Sequence, residues 1–253
     1  MQNSKYDIVG IGNAIVDILA HADDGFLISH NLHKGGMALI TEEQAEALYQ
    51  QMGPAVVVSG GSAANTIVGA ASLGSNVAFI GKVKADDAGQ IFNHDMKSLN
   101  IHYSTPASSE GPATAKSYIL VTPDGQRTMN TFLGACQSLK EADIDEDLIA
   151  AAGITYLEGY LWDPPAAKKA FLKAAGIARE NKRSVALSLS DAFCVDRYRD
   201  EFLNLIRLKT VDIIFANESE LHALYQTSDF ATALKMLQTE TRIGIVTRGS
   251  QGC

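Results

Sequence analysis

Cysteine is scarce. Cys136, Cys194 and Cys253 are the only three in 253 residues, odd in number and far apart, which excludes a disulfide framework and a zinc spacing and fits a reducing cytosol. No run of eighteen apolar residues occurs, so no segment reads as a membrane-spanning helix. The opening MQNSKYDIVGIG also lacks the apolar core of a signal peptide. Basic clusters are missing: 21 Lys and Arg stand against 29 acidic residues, net −8, with no run that makes a nucleic-acid footprint. The phosphate loop GxxxxGK[ST] is absent, since Gly81-Lys82 has neither the upstream glycine nor the following hydroxyl. The GxG at Gly10 to Gly12 has Ile15 where a dinucleotide fingerprint needs its third glycine, which disfavours an NAD-dependent oxidoreductase. The six histidines show no metal-binding spacing. Polyanions and membranes are thereby set aside, and a soluble domain acting on a small molecule is left.

What is present is a strand-and-helix alternation. Strands are expected at 7–12, 77–81, 154–157, 185–189, 211–215 and 243–246, with helices at 41–52, 86–99, 165–181, 196–208, 217–225 and 229–239. Such alternation predicts a parallel sheet with helices on its faces. The central stretch is SGGSAANTIVGAASLG, residues 59–74. Residues 55–58 read as a short buried strand, Gly60 and Gly61 break it, and Ala63, Ala64, Ile67, Val68 and Ala71 recur at helical spacing. Residues 15–40 and 102–135 depart from the pattern, with short β-like runs and a hairpin signal at Pro123-Asp124-Gly125. They are expected to form a small β lid beside a main domain of residues 1–14, 41–101 and 136–253.

Ligands of parallel sheets bind beyond the carboxyl ends of the strands. Asn13, Asp17, Gly60, Gly61, Asn65, Asn217, Glu220, Thr247 and Gly249 all follow strands in this reading and are expected to share that edge. Glycines at 60 and 61 let a ligand approach the main chain while the first helical N–H groups stay free, a cradle for hydroxyls or an anion; the alternative is a tight turn that binds nothing. Asp17 with Asn13 offers a carboxylate and an amide to a vicinal diol, or serves as a turn cap. Asn217 and Glu220 open a helix, either as a cap or as holders of the water shell of a magnesium ion. The loop 247–252 suits phosphates or ribose. Arg127, at the hairpin, is a solvated charge or an arm that meets a phosphoryl group when a lid closes.

These segments, in their order, resemble the ribokinase-like (PfkB) carbohydrate and nucleoside kinases: GNAIVDI at 12–18, GGSAAN at 60–65, GKVKADDAG at 81–89, TPDGQRT at 122–128, SLSDAF at 188–193, NESE at 217–220 and TRGSQG at 247–252. The resemblance covers essentially the whole chain and implies a three-layer α/β/α parallel-sheet fold with a β lid. It implies phosphoryl transfer from ATP, with Mg2+ and room for a monovalent cation, to a hydroxymethyl group. Asn13, Asp17, Gly60, Gly61 and Asn65 would hold the acceptor, Asn217 and Glu220 the metal, Ser188, Asn217, Thr247, Gly249 and Gly252 the nucleotide, and Arg127 the phosphates. The stretch GNAIVDILAHADDGFLISHNL, with MALIT after it, is most similar to the start of adenosine kinases. That implies a nucleoside acceptor, adenosine first, with Leu39, Phe132 and Phe193 around the base. The alternatives are a sugar kinase acting on ribose, fructose or a keto-deoxy sugar acid, and a non-catalytic ligand-binding relative. Two departures stand out. Lys84 replaces a glycine, read as surface variation. The family's GAGD segment, with its anion hole and base, does not occur before Cys253, so the C-terminal part of the fold is expected to be absent and this chain alone is expected not to turn over. Partners are expected to be a small molecule and, at most, a second copy of the chain, in the cytoplasm.

Overall fold

The computed structural model describes residues 4–253. In chain order the strands are β1 (Tyr6–Ile11), β2 (Ile15–His21), β3 (Met37–Leu39), β4 (Ala55–Gly60), β5 (Val77–Ile80), β6 (His102–Tyr103), β7 (Ala115–Val121), β8 (Arg127–Phe132), β9 (Ala152–Glu158), β10 (Ser184–Ser188), β11 (Ile213–Asn217) and β12 (Ile243–Thr247). The α-helices are α1 (Asp24–Ser29), α2 (Glu42–Tyr49), α3 (Ser62–Ser72), α4 (Asp87–Ser98), α5 (Glu146–Ala150), α6 (Pro165–Glu180), α7 (Ala192–Arg207), α8 (Glu218–Tyr225) and α9 (Phe230–Glu240).

Seven strands form one all-parallel sheet in the order β12-β11-β10-β9-β1-β5-β6. The chain winds outward from β9 to β12 on one side of β1 and to β5 and β6 on the other, so the sheet changes direction between β1 and β9. One face is covered by α5 to α9. In α6, for example, Ala167, Ala170, Phe171, Ala174 and Ala178 recur at three- and four-residue spacing and are buried against Val9, Leu157 and Val185. The other face carries α3 and α4, whose Ala63, Ala64, Ile67, Phe92 and Met96 meet Val77, Phe79 and Tyr156. The result is the three-layer α/β/α fold expected. Each fully buried phenylalanine, Phe79, Phe92, Phe171 and Phe202 among them, stabilises it by roughly 1.5–3 kcal/mol.

The failed dinucleotide fingerprint gains a packing explanation here. A Cβ on Gly10 would lie 2.5 Å from Ile67 Cγ1, and one on Gly12 would lie 2.6 Å from the Ala63 methyl. The glycines of β1 let the small-residue helix α3 sit against the strand.

The second sheet, order β3-β8-β7-β2-β4, is the small lid sheet. Three expectations about its extent are corrected. Strand β4 is not a buried strand of the main sheet. It pairs antiparallel with β2 at the edge of the second sheet, and Val56, Val57 and Val58 are all exposed. A short apolar run satisfies a buried and an edge strand equally, and only the pairing decides. Helix α2 also belongs with this sheet, since Ala45 and Leu48 pack on Ile18 and Tyr118. Conversely, β6 extends the main sheet beside β5.

Lys84 is more than surface variation. Its ammonium donates to the Ser109 and Gly111 carbonyls at 2.9 and 3.2 Å, tying the Ser/Pro/Gly-rich loop to the base of the lid. Asp86, which caps α4, accepts from the Thr114 N–H and hydroxyl, so both bonds fix the point where the chain enters β7.

Candidate active site

The crevice at the point where a parallel sheet reverses its winding is the usual ligand position. Here it lies between the ends of β1 and β9, and a residue that the motif reading passed over fills its floor. Glu158, 1% exposed at the end of β9, accepts hydrogen bonds from the Asn13 N–H, the Ser62 hydroxyl and the Ala63 N–H. The first N–H groups of α3 are therefore not a free cradle: an internal carboxylate neutralises that helix terminus. Burial pushes the Glu158 carboxyl up from its ordinary range, while the donors around it pull it back. The signal was available in the sequence as a lone acid ending the apolar strand ITYLE.

Around this floor the Gly-Gly turn is set by contact as well as conformation. Gly61 has φ +100°, and a side chain on it would run into the Asn13 carbonyl. A side chain on Gly60 would run into the Asp17 carboxylate. Asn65 follows one turn into α3 and is exposed, next to the same crevice.

Asp17 was expected after a strand but lies inside β2, opposite Val58 of β4 and Ser117 of β7. Register places Asp17, Ser117, Thr131 and Leu39 in one row on one face of the lid sheet. The next row, Val56, Leu19, Ile119, Met129 and Met37, lies on the same face and is apolar. Burial raises the Asp17 carboxyl from the ordinary 3.8 to about 6, opposed by the positive charge of Arg127. Arg127, the first residue of β8 and exposed, shares that face, two rungs beyond Met129. Phe132 does not. It pairs with Lys116, one position out of phase, and packs into the helix-covered core with Ile18, Ala45, Leu48 and Tyr118, so its expected contact with a base is withdrawn.

Beyond β9 the edge continues through β10, β11 and β12. Ser188 ends β10, near Tyr156. Asp191 caps α7 through the Cys194 N–H at 2.6 Å, after Ser190 at φ +74°. Phe193, in the first turn of α7, is 78% exposed, a large apolar side chain standing free at this edge. Asn217 and Glu220 form a reciprocal capping box, with Asn217 Nδ2 to Glu220 Oε1 at 2.6 Å and Glu220 N to Asn217 Oδ1 at 2.9 Å. Glu220 is buried and its carboxyl is raised, first by desolvation and further by Asp191. Thr247 pairs in register with Asn217, and Gly249 and Gly252 both take positive φ in the exposed loop behind it.

Among the described residues no group of three or more His, Cys, Asp or Glu is arranged to chelate a metal. The Asn217–Glu220 pair with Asp191 nearby suits a hard ion held through its water shell, because Mg2+ keeps several waters and needs few carboxylates. Among the described residues neither Glu220 nor Asp191 has a Lys or Arg ion-pair partner. The edge as a whole runs from the Asn13 amide and the Asp17 carboxylate at β1 and the lid to the Asn217–Glu220 box and the glycine-bearing loop 247–252 at β11 and β12. With strands about 4.8 Å apart, β1 and β11 are separated by roughly 14 Å.

Comparison with known proteins bears on the family and the fold. The model of the pfkB family carbohydrate kinases matches residues 38–253. The crystal structure of an adenosine kinase from Sinorhizobium meliloti is 52% identical with a TM-score of 0.91, covering 97% of this chain and 75% of that one. A probable sugar kinase from Rhizobium etli CFN 42 is 50% identical with a TM-score of 0.92, covering 97% and 74%. The probable chloroplastic fructokinase-6 of Arabidopsis thaliana is 30% identical over 205 residues, 77% of this chain and 52% of its own length. The chain thus spans about half the length of that curated relative. With the motifs in family order, the family model matched over most of the sequence and the fold shared at half identity, this chain belongs to the pfkB family of carbohydrate kinases.

Proposed function

We propose that the protein to which this chain belongs transfers the γ-phosphoryl group of ATP to the hydroxymethyl group of a nucleoside, adenosine first. The observation that carries the reading is the lid face. The half-buried Asp17 carboxylate shares one row with the Ser117 and Thr131 hydroxyls, Val58 and Leu39 close the two ends of that row, and the next row on the same face, Val56, Leu19, Ile119, Met129 and Met37, is apolar. A nucleoside has that polarity: vicinal ribose hydroxyls at one end, to donate to Asp17, and an apolar base at the other. Asn13, Gly60, Gly61 and Asn65 line the opposite side, and Phe193 offers a ring. The 52% identity to the Sinorhizobium adenosine kinase supports the same choice.

Each residue then has a task. Asp17, ionised above its pKa of about 6, orients the acceptor by accepting hydrogen bonds from its hydroxyls. Arg127 neutralises phosphate charge from the lid. Ser188, Thr247, Gly249 and Gly252 line the nucleotide, and Asn217 with Glu220 would order the waters of Mg2+. A magnesium-bound ATP supplies the phosphoryl group, and catalysis rests on in-line positioning and charge neutralisation. The general base is not assigned to any residue of this chain. Three free cysteines, two of them buried, accord with a cytoplasmic setting.

A second reading, a sugar kinase, is favoured by the Ser117–Thr131 hydroxyl pair, 2.9 Å apart beside Asp17, and by the Rhizobium relative. A non-catalytic binding protein is the third. Calorimetry on the 253-residue chain with adenosine, ribose and fructose, followed by ADP release from the gene-length protein, separates them. Binding and turnover with adenosine alone support the proposal. Preference for a free sugar moves the assignment to the second reading, and binding without any turnover moves it to the third.

A further inference from the structure

The loop 247–252 has few internal restraints. Arg248 N donates to the Gly252 carbonyl at 2.7 Å, Gln251 N to the Arg248 carbonyl at 3.1 Å and Gly252 N to the Gly249 carbonyl at 3.2 Å. Gly249 and Gly252 both take positive φ, with nothing within 4 Å of a Cβ placed on either. One side chain ties this loop to the rest of the edge. The Arg248 guanidinium lies over the Phe230 ring, 4.1 Å from its centroid, at the start of α9. Its Nε and Nη2 reach the Glu218 carboxylate at 3.2 and 3.4 Å, in the first turn of α8. The Phe230 ring is held in turn by an edge contact with His222 of α8, centroids 6.4 Å apart.

We infer that Arg248 is a positioning residue for the nucleotide. It spans from β12 to the N-terminal turns of two helices and fixes the Gly249–Gly252 backbone against the Asn217–Glu220 box. The inference rests on the nucleotide reading of this edge but assigns to Arg248 a role outside direct contact, since its planar cation is already committed to a ring and a carboxylate. Two further consequences follow. Glu218 is engaged by Arg248, so of the two glutamates at this turn Glu220 is the one free to act with Asn217 on metal-bound water. Arginine is also needed rather than lysine, because stacking on Phe230 and forked bonding to Glu218 together require a planar guanidinium. Without the clamp the loop must be ordered when the nucleotide binds, and affinity falls by the cost of that ordering.

Three readouts on the 253-residue chain test this. Arg248→Ala is expected to weaken binding of Mg-ATP about five- to tenfold while leaving adenosine binding within about twofold. Arg248→Lys falls between, Phe230→Leu resembles Arg248→Ala, Phe230→Trp retains affinity, and Arg248→Ala with Phe230→Leu is no worse than either alone. Amide hydrogen exchange at 249–252 is expected to rise in Arg248→Ala without a change elsewhere. Unchanged exchange in that loop, equal ATP affinity in a folded Arg248→Ala, or a parallel fall in ATP and adenosine binding overturns the inference. If the parent chain binds no ATP while the loop exchange still rises in the variant, the clamp stands and the kinase reading is what fails.

Discussion

Glu158, at the end of β9, accepts the backbone N–H of Asn13, just past the end of β1, across the point where the sheet reverses its winding. Because the same carboxylate also takes the Ser62 hydroxyl and the Ala63 N–H, one side chain registers three segments of the crevice. Glutamine keeps the shape but turns an acceptor into a donor facing N–H groups. Glu158→Gln is expected to lower stability by about 1–3 kcal/mol, the cost of leaving buried donors unpaired, and to weaken adenosine binding with it. Urea denaturation checks the first and calorimetry the second. A Gln variant as stable as the parent would show that Glu158 only fills space.

Asp17 gives a pH test with a definite sign. Its folded pKa of about 6 exceeds the ordinary 3.8, so the folded state favours the protonated form. Stability from this group is fully present below about pH 4 and is lost as pH rises through 6. Asp17→Asn removes that loss. With allowance for its partial exposure to solvent, the variant is expected to be about 1–2 kcal/mol more stable than the parent at pH 7.5, the difference vanishing near pH 4. Nucleoside affinity should move the other way, rising in the parent through pH 6 and absent in Asp17→Asn. Thermal melts across pH 4–8 read the first part. A variant less stable than the parent at pH 7.5 would mean that Asp17 is structural.

Gly61 at the cap of α3 and Gly69 inside it separate strain from propensity. At Gly61 the φ of +100° and the Asn13 carbonyl both exclude a side chain, whereas at Gly69, inside α3, nothing lies within 4 Å of the new methyl. Gly61→Ala is expected to cost more than about 2 kcal/mol. Gly69→Ala should stabilise by about 0.5–1 kcal/mol by removing backbone freedom from the unfolded helix. The two melting temperatures move in opposite directions. If both fell, α3 would be packed against something at Gly69.

Much of this architecture is legible in the sequence because period and punctuation agree. The apolar spacing of α6, the Thr41 cap of α2 and the Asp229 cap of α9 each mark an element by local chemistry. The hairpin of β7 and β8 is announced by Pro123-Asp124-Gly125. What stays hidden depends on pairing. Nothing in AVVVSG says that its partner is β2 and not a strand of the main sheet, and so β4 was misplaced. Helix α7 begins at Ala192, before the expected 196, because the cap Asp191 precedes a break in helical geometry at Tyr198 that interrupts the period. Glu158 shows in the sequence only as a lone acid ending an apolar strand; its role rests on donors 95 to 145 residues away, which no local motif displays.

Register also separates two residues that hydrophobicity alone treats as equivalent. Leu39 and Phe132 lie on adjacent strands of the lid, but one position in phase decides the face. Leu39 pairs with Thr131, in the row of Asp17, and is 58% exposed. Phe132 pairs with Lys116 and is packed under α2. Leu39→Ala removes apolar surface only from the exposed lid face, so stability should stay within about 0.5 kcal/mol; if that face holds the base, adenosine binding weakens by about 1–2 kcal/mol, near tenfold, and ribose binding is unaffected. Phe132→Ala opens a cavity against Ile18, Leu48 and Tyr118 and is expected to cost about 2–4 kcal/mol of stability. Any affinity loss there should track the unfolded fraction and disappear when binding is measured well below the melting temperature. Calorimetric titration with adenosine and with ribose, paired with urea melts of both variants, tests the assignment. Equal loss of adenosine and ribose binding in Leu39→Ala would place the base elsewhere than the exposed lid face.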